Sequence, residues 1–123
     1  MPLLILPENV ARQDGIGESI ALKSSAGKPL LLTLGITRIL EQESLEVSLW
    51  GSKDCSNWGK LHVFPQKFYC GTYSLNLDLR RFPEIRYLRA QWRMNRWGHG
   101  AQAPLFGFYL MADEPRLHAV GAA

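Results

Sequence analysis

A chain of 123 residues and 13.9 kDa, with 46% hydrophobic and 20% charged residues, has the composition of one globular domain and no room for a second. The 4 Trp, 4 Tyr and 5 Phe at a formal charge of only +3 exclude intrinsic disorder. The longest apolar stretches, 3–6 and 29–32, are far shorter than the roughly 20 residues of a membrane helix, so we expect no transmembrane span.

The N-terminal segment has no basic region, and Pro7 interrupts its apolar run, so we expect no signal peptide and synthesis in the cytosol, with the final location left open. Cys55 and Cys70 are then expected to be reduced thiols. The sequence has no Cys-x-x-Cys pair, and His62 and His99 do not supply one, so we predict neither a metal nor another cofactor.

Hydrophobic residues alternate with polar ones along most of the chain, which is the pattern of half-buried β-strands. In the clearest case, Leu45, Val47 and Leu49 are predicted to face a core. The segment 85–94 repeats the pattern and leaves one polar, basic side. Only 37–44 has weak helical spacing. Further short strands are predicted at 18–23, 30–36, 61–64, 67–73, 75–79 and 105–112, with a break at Pro65.

Seven or eight short strands with turn signals about every ten residues predict an all-β fold, an antiparallel β-sandwich, rather than a βαβ fold. We expect one β-sandwich domain over residues 1–112, followed by a C-terminal tail over 113–123.

The positive charge is concentrated in the second half, where residues 61–123 carry eight basic and four acidic side chains. Six arginines lie close together in the sequence: Arg80, Arg81, Arg86, Arg89, Arg93 and Arg96. One interpretation is a site for phosphate, carboxylate or an acidic partner. The other, which we favour, is a solvated strand face partly neutralised by Asp78 and Glu84.

Two segments resemble signatures of the discoidin-like (F5/8 type C, galactose-binding-like) jelly rolls. Residues 47–58, VSLWGSKDCSNW, are similar to the strand and S-x-D-G-x-x-W turn of that family, and residues 83–89, PEIRYLR, look like its arginine strand. The resemblance covers about residues 18–112 and implies a jelly roll of about eight strands that binds glycans, lipid headgroups or proteins through end loops, without catalysis. Cys55 stands where the family has glycine, and no cysteines are available to join the chain ends.

The segment 93–100 combines an aromatic plate for a sugar ring with polar groups that can bind hydroxyls. Asn95, Arg96, Trp97 and His99 are therefore the predicted ligand-binding residues. The alternative is that Trp97 packs over the end of the sandwich as a lid and that Arg96 is only solvated.

Tyr87, Arg89 and Arg93 form a second candidate, a basic interaction face on one strand. A stacking groove for nucleic acid is disfavoured because the net charge is modest and lysines are few. No nucleophile beside a base and no pair of strand carboxylates emerges, so we predict no catalytic residues.

The expected function is a recognition module for a carbohydrate or similar polar ligand. The alternative is an assembly subunit that forms a homo-oligomer or docks onto a protein partner within a larger particle.

Overall fold

The computed structural model describes residues 3–39, 43–67, 69–96 and 105–114. They form two antiparallel β-sheets packed face to face, which confirms the predicted all-β sandwich. The strands in the described part of the chain are β1 (Leu3–Ala11), β2 (Gly15–Ile16), β3 (Ile20–Ala21), β4 (Pro29–Ile39), β5 (Glu43–Ser52), β6 (Gly59–Lys67), β7 (Gly71–Asp78), β8 (Tyr87–Arg96) and β9 (Phe106–Asp113). Short 3-10 turns span Lys23–Ser25 and Leu79–Arg81.

The first sheet has the strand order β1-β9-β4-β7, and the second has β2-β8-β5-β6 with β3 also paired to β8. Because β2 and β3 pair with neighbouring parts of β8, they act as one strand interrupted around Gly17. Counted in this way, the two sheets have the strand order of an eight-stranded jelly roll. This topology places β5 and β8 side by side in the middle of the second sheet.

The core lies between the inner faces of the two sheets, as the alternation predicts. On β5 the predicted core residues Leu45, Val47 and Leu49 are at most 1% exposed. Leu88 and Ala90 on the neighbouring β8 are completely buried, and Trp92 packs edge-on against Phe108 of the opposite sheet, with ring centroids 5.5 Å apart. The residues between them in the sequence therefore point away from the core.

The predicted strands 67–73 and 75–79 are replaced by one strand, β7, and the segments 37–44 and 61–67 also differ from their sequence patterns. Residues 37–39 end β4, and residues 43–44 begin β5, so the weak helical pattern over 37–44 does not form a helix there. Pairing to neighbouring strands outweighs such a weak local preference. Pro65 does not break β6, because β6 is an edge strand and a register shift between the Val47–Phe64 and Leu45–Lys67 pairs accommodates the proline.

The alternation does not predict β1, which contains Pro7 and pairs with β9 across two register shifts. This strand is also at the edge of its sheet. Pro7 has no backbone N–H, and at an edge this does not deprive a neighbouring strand of a hydrogen bond. At the other end of the chain, β9 continues to Asp113, which pairs with Leu31. The rest of the predicted tail, from residue 115, lies outside the described residues.

The two faces of β9 provide a test of the sandwich. Leu110 is completely buried in the core, whereas its neighbour Met111 is on the outer face and only half-buried. We expect Leu110→Ala to lower the free energy of unfolding by about 2–5 kcal/mol through the cavity it leaves. The matched control Met111→Ala should cost about 1 kcal/mol or less. Urea denaturation measures both, and equal costs would contradict the assignment of the faces.

Candidate functional site

The structure brings together the two sequence segments that resemble the discoidin-like signatures. Ser52 at the end of β5 pairs with Tyr87 at the start of β8, and the backbone N–H of Arg86 donates to the Ser52 carbonyl at 2.9 Å. The turn that follows β5 therefore lies directly beside the arginine strand. The two motifs form one structural unit at one end of the second sheet.

Side chains of the turn satisfy its backbone N–H groups. Ser52 Oγ accepts from the N–H groups of Asp54 at 3.1 Å and Cys55 at 2.9 Å. Asp54 Oδ1 accepts from the N–H groups of Asn57 at 3.0 Å and Ser56 at 2.9 Å, and from the Ser52 hydroxyl at 3.0 Å. These hydrogen bonds, those from the Asn57 and Ser56 backbone first, stabilise the carboxylate and lower the pKa of Asp54 to about 2.

Cys55 adopts the left-handed backbone conformation, with φ of 62°. The turn thus keeps the geometry that favours glycine and tolerates a side chain there, at a cost of roughly 1–2 kcal/mol. Both Cys55 and Cys70 are exposed free thiols in the structure.

Trp58, the last residue of the signature, covers Arg89. The Arg89 guanidinium carbon lies 4.2 Å from the centre of the indole, whose Nε1–H donates to the Cys55 carbonyl at 3.2 Å. Arg89 Nε is buried and has no hydrogen-bond partner among the described residues. A cation–π contact of this kind stabilises by about 0.5–2 kcal/mol. Trp58 and Arg89 therefore fix each other's position on the outer face of the second sheet.

This pair belongs to a row that crosses three strands. Trp50 of β5 pairs with Arg89 on one side and with Lys60 of β6 on the other, and the Lys60 ammonium lies 5.5 Å from the centre of the Trp50 ring. The Trp50 Nε1–H donates to Ser48 Oγ at 2.9 Å, which directs the ring along β5. We call Lys60, Trp50, Arg89 and Trp58 the Trp–Arg row.

A polar cleft of about 310 Å³ lies further along β5 and β8. Cross-strand pairing places Glu46 opposite Arg93 and Ser44 opposite Asn95. The cleft is lined by polar residues with one exception, Met94; the lining residues are Asp14, Ser44, Glu46, Gln66, Arg93, Met94 and Asn95. The backbone N–H of Met94 donates to Asp14 Oδ1 at 2.7 Å, which holds the loop before β2 against the end of β8.

Glu43 contacts both residues that flank the segment 97–104, which connects β8 to β9. It is 1% exposed at the first position of β5 and pairs with Arg96, the last residue of β8. Its Oε1 also accepts from the backbone N–H of Leu105 at 2.9 Å, just before β9. One buried residue therefore fixes both the last residue of β8 and the residue just before β9.

The structure brings together some of the residues predicted from the sequence and separates others. Asn95 and Arg93 line the polar cleft, and Arg93 is exposed there. Arg89 is covered by Trp58, and Tyr87 is half-buried beside Ser52, so the predicted basic face is divided between two places. Of Arg96 only the backbone is described, and Trp97 and His99 lie outside the described residues.

Four of the cleft residues were not predicted from the sequence: Asp14, Ser44, Glu46 and Gln66. The alternation along β5 predicts that Glu46 and Ser44 share its outer face. It does not predict which residues of β8 lie opposite them, because the strand register is not visible in the sequence. Asp14 and Gln66 come from other parts of the chain and reach the cleft only through the fold.

Comparisons of the chain with models of protein families, with curated proteins and with solved structures found no match. Within the described residues, no group of three or more histidine, cysteine, aspartate or glutamate side chains could hold a metal ion. Nor do those residues include a helix of the length and apolarity needed to cross a membrane. Fold and site together define an antiparallel jelly-roll sandwich with a polar cleft and a Trp–Arg row on one outer face.

Substituting Asp54 by the uncharged Asn tests the turn. The folded-state pKa of about 2 lies below the usual value of 3.8, so the carboxylate stabilises the fold above pH 4, and this contribution is lost as the pH falls towards 2. Asp54→Asn should therefore lower the melting temperature at pH 7, and the difference from the natural protein should shrink as the pH falls from 4 to 2.

Glu84→Gln is the control for loss of one negative charge, because Glu84 is exposed and makes no hydrogen bond within the described residues. Thermal denaturation followed by circular dichroism between pH 2 and pH 7 gives both curves. A difference for Asp54→Asn that stays constant over this range would contradict the assigned role.

Proposed function

We propose that this protein is a non-catalytic recognition module that binds a carbohydrate, or a similarly polar ligand, in the polar cleft and the loop after β8. The observation that carries the proposal is the set of side chains around the cleft. Asp14 and Glu46 supply carboxylate acceptors, while Arg93, Asn95 and Gln66 supply donors. Sugar hydroxyls both donate and accept hydrogen bonds, so a cleft with fixed groups of both kinds suits a sugar.

The surrounding strands support a rigid site. Glu46 and Arg93 are directly opposite each other on the two central strands of the sheet, and Asp14 is held by the Met94 backbone. Residues placed on paired strands lose little conformational freedom on binding, which favours affinity. Asn95 and Arg96 lead directly into the loop containing Trp97 and His99, which we propose supplies the aromatic plate for the sugar ring.

The resemblance to discoidin-like domains supports the same function. The jelly-roll strand order is compatible with that family, and the Ser52–Asp54–Trp58 turn and the arginine strand meet as one unit. Members of that family bind their ligands through loops at one end of the sandwich, and we propose that the binding end of this chain is the one where β8 finishes. We therefore propose that this chain is a discoidin-like module.

We propose no catalysis at this site. Asp14 accepts a hydrogen bond from the Met94 backbone, and Glu46 is directly opposite Arg93, so we assign both carboxylates to binding and positioning. His62 is the only histidine in the described part of the chain; it accepts a hydrogen bond from the Val63 N–H and does not line the cleft.

A glycan array, followed by calorimetry on the best oligosaccharide, tests the proposal. Asn95→Ala and Trp97→Ala should each weaken binding about tenfold or more, because each removes a direct contact to the sugar. Asn76→Ala is the control, since Asn76 is an exposed residue of β7 in the other sheet. Recovery of the oligosaccharide unchanged is expected. Unaltered binding by both variants would rule out this site, and hydrolysis would contradict the absence of catalysis.

A second candidate, an assembly subunit, is favoured by one observation. Three of the four large apolar side chains that are exposed in the described part of the chain lie at the open side between β1 and β2: Leu4 and Val10, each 51% exposed, and Ile16, 57% exposed. They line adjoining clefts of about 510 and 440 Å³. Such a patch favours contact with a second copy of the chain. It is a different surface from the predicted basic interaction face of Tyr87, Arg89 and Arg93.

Light scattering over a concentration series tests this candidate. If copies join through the open side, the measured mass should rise with concentration, and the double variant Leu4→Thr, Ile16→Thr should stay monomeric because it loses apolar contact area. Tyr69→Thr is the matched control, because Tyr69 is 75% exposed elsewhere. A natural protein that is monomeric at every concentration would exclude self-association.

A further inference from the structure

The Trp–Arg row holds two positive charges that form no ion pair within the described part of the chain. Among the described residues the ion pairs are Lys28–Glu114 and Arg80–Asp78, and neither involves Lys60 or Arg89. Both cations are instead held against indole rings, at 5.5 Å and 4.2 Å from the ring centres. Since β6 and β8 lie on either side of β5, the two charged residues stand about 10 Å apart across Trp50.

The row and the polar cleft occupy one continuous face. Glu46 and Trp50 are both outward residues of β5, four positions apart, which is about 14 Å along the strand. Ser48 and Gln91 lie between them, and Trp50 is directed along β5 by its hydrogen bond to Ser48. An oligosaccharide that reaches from the cleft to the row must therefore have several rings.

We infer that the Trp–Arg row is a subsite for an acidic sugar, so that the ligand is an oligosaccharide with a neutral part in the polar cleft and a carboxylate or sulfate at the row. This inference rests on the proposed function. The Trp50 ring offers an apolar surface to the sugar ring, and Lys60 and Arg89 on either side attract its negative charge. Arg89 forms no ion pair among the described residues, so a bound anion gives its guanidinium a charged partner.

The charge distribution along the face favours this ligand over a nucleic acid. Asp14 and Glu46 in the cleft place negative charge where a continuous phosphate backbone would run. A single-stranded nucleic acid needs a positively charged groove that follows the backbone over several phosphates. A glycan with one acidic sugar is complementary to both the cleft and the row. Its neutral hydroxyls donate hydrogen bonds to the cleft carboxylates, and its anion binds the two cations of the row.

Calorimetry with two matched oligosaccharides tests the inference: one carries a uronic acid, and the other carries the same sugar with the carboxylate reduced to an alcohol. The natural protein should bind the acidic one about tenfold more tightly at low salt, and the preference should shrink as salt is added. Lys60→Gln should remove most of the preference by weakening binding of the acidic oligosaccharide. Lys23→Gln is the control, because Lys23 is exposed in the 3-10 turn after β3.

Arg89→Lys is a second variant, which keeps the charge and should retain part of the preference. Equal affinity of the natural protein for both oligosaccharides would overturn the inference while leaving the proposed function standing. Absence of binding to any glycan would overturn both. Tighter binding of a single-stranded oligonucleotide than of the acidic oligosaccharide would overturn the inference in favour of nucleic acid.

Discussion

The antiparallel ladder between β5 and β8 is the interaction on which the rest of the structure depends. It runs without a register shift from the Glu43–Arg96 pair to the Ser52–Tyr87 pair. On one side it presents Leu45, Leu49 and Leu88 to the core, and on the other it presents the Trp–Arg row and the polar cleft. A slip of one residue would exchange these faces along the whole strand. Burial of the inner side chains therefore determines which side chains lie on the outer face.

The stability and the surface chemistry of this sheet are consequently linked. The core residues of β5 and β8 hold the register, and the register sets which charged group stands beside which ring. The row is an example: Trp50 meets Lys60 and Arg89 only because β6, β5 and β8 are aligned as they are. The same alignment brings the turn after β5 and the arginine strand together at Ser52 and Tyr87.

Much of the fold could be predicted from the sequence because burial on one face leaves a visible period of two. This signal identified the inward residues of β5 and β8 and the basic outer side of β8. It failed where the physics does not produce alternation, as in β1 with Pro7 or at Pro65, which an edge strand tolerates. The cleft was only partly predictable. Asn95 and Arg93 stood out by type, but Asp14 and Gln66 reach the cleft from distant parts of the chain, and no local pattern encodes that convergence.

Glu43 has a consequence for how this domain can change over evolution. It joins Arg96 through the β5–β8 pairing and Leu105 through its carboxylate, so the eight residues 97–104 are bounded by two fixed points. The entropic cost of closing a connection rises only slowly with its length. A change in the length of this segment therefore adds little to the cost of closing it, provided that Glu43 keeps both contacts. The fold thus sets where the segment begins and ends rather than how long it must be.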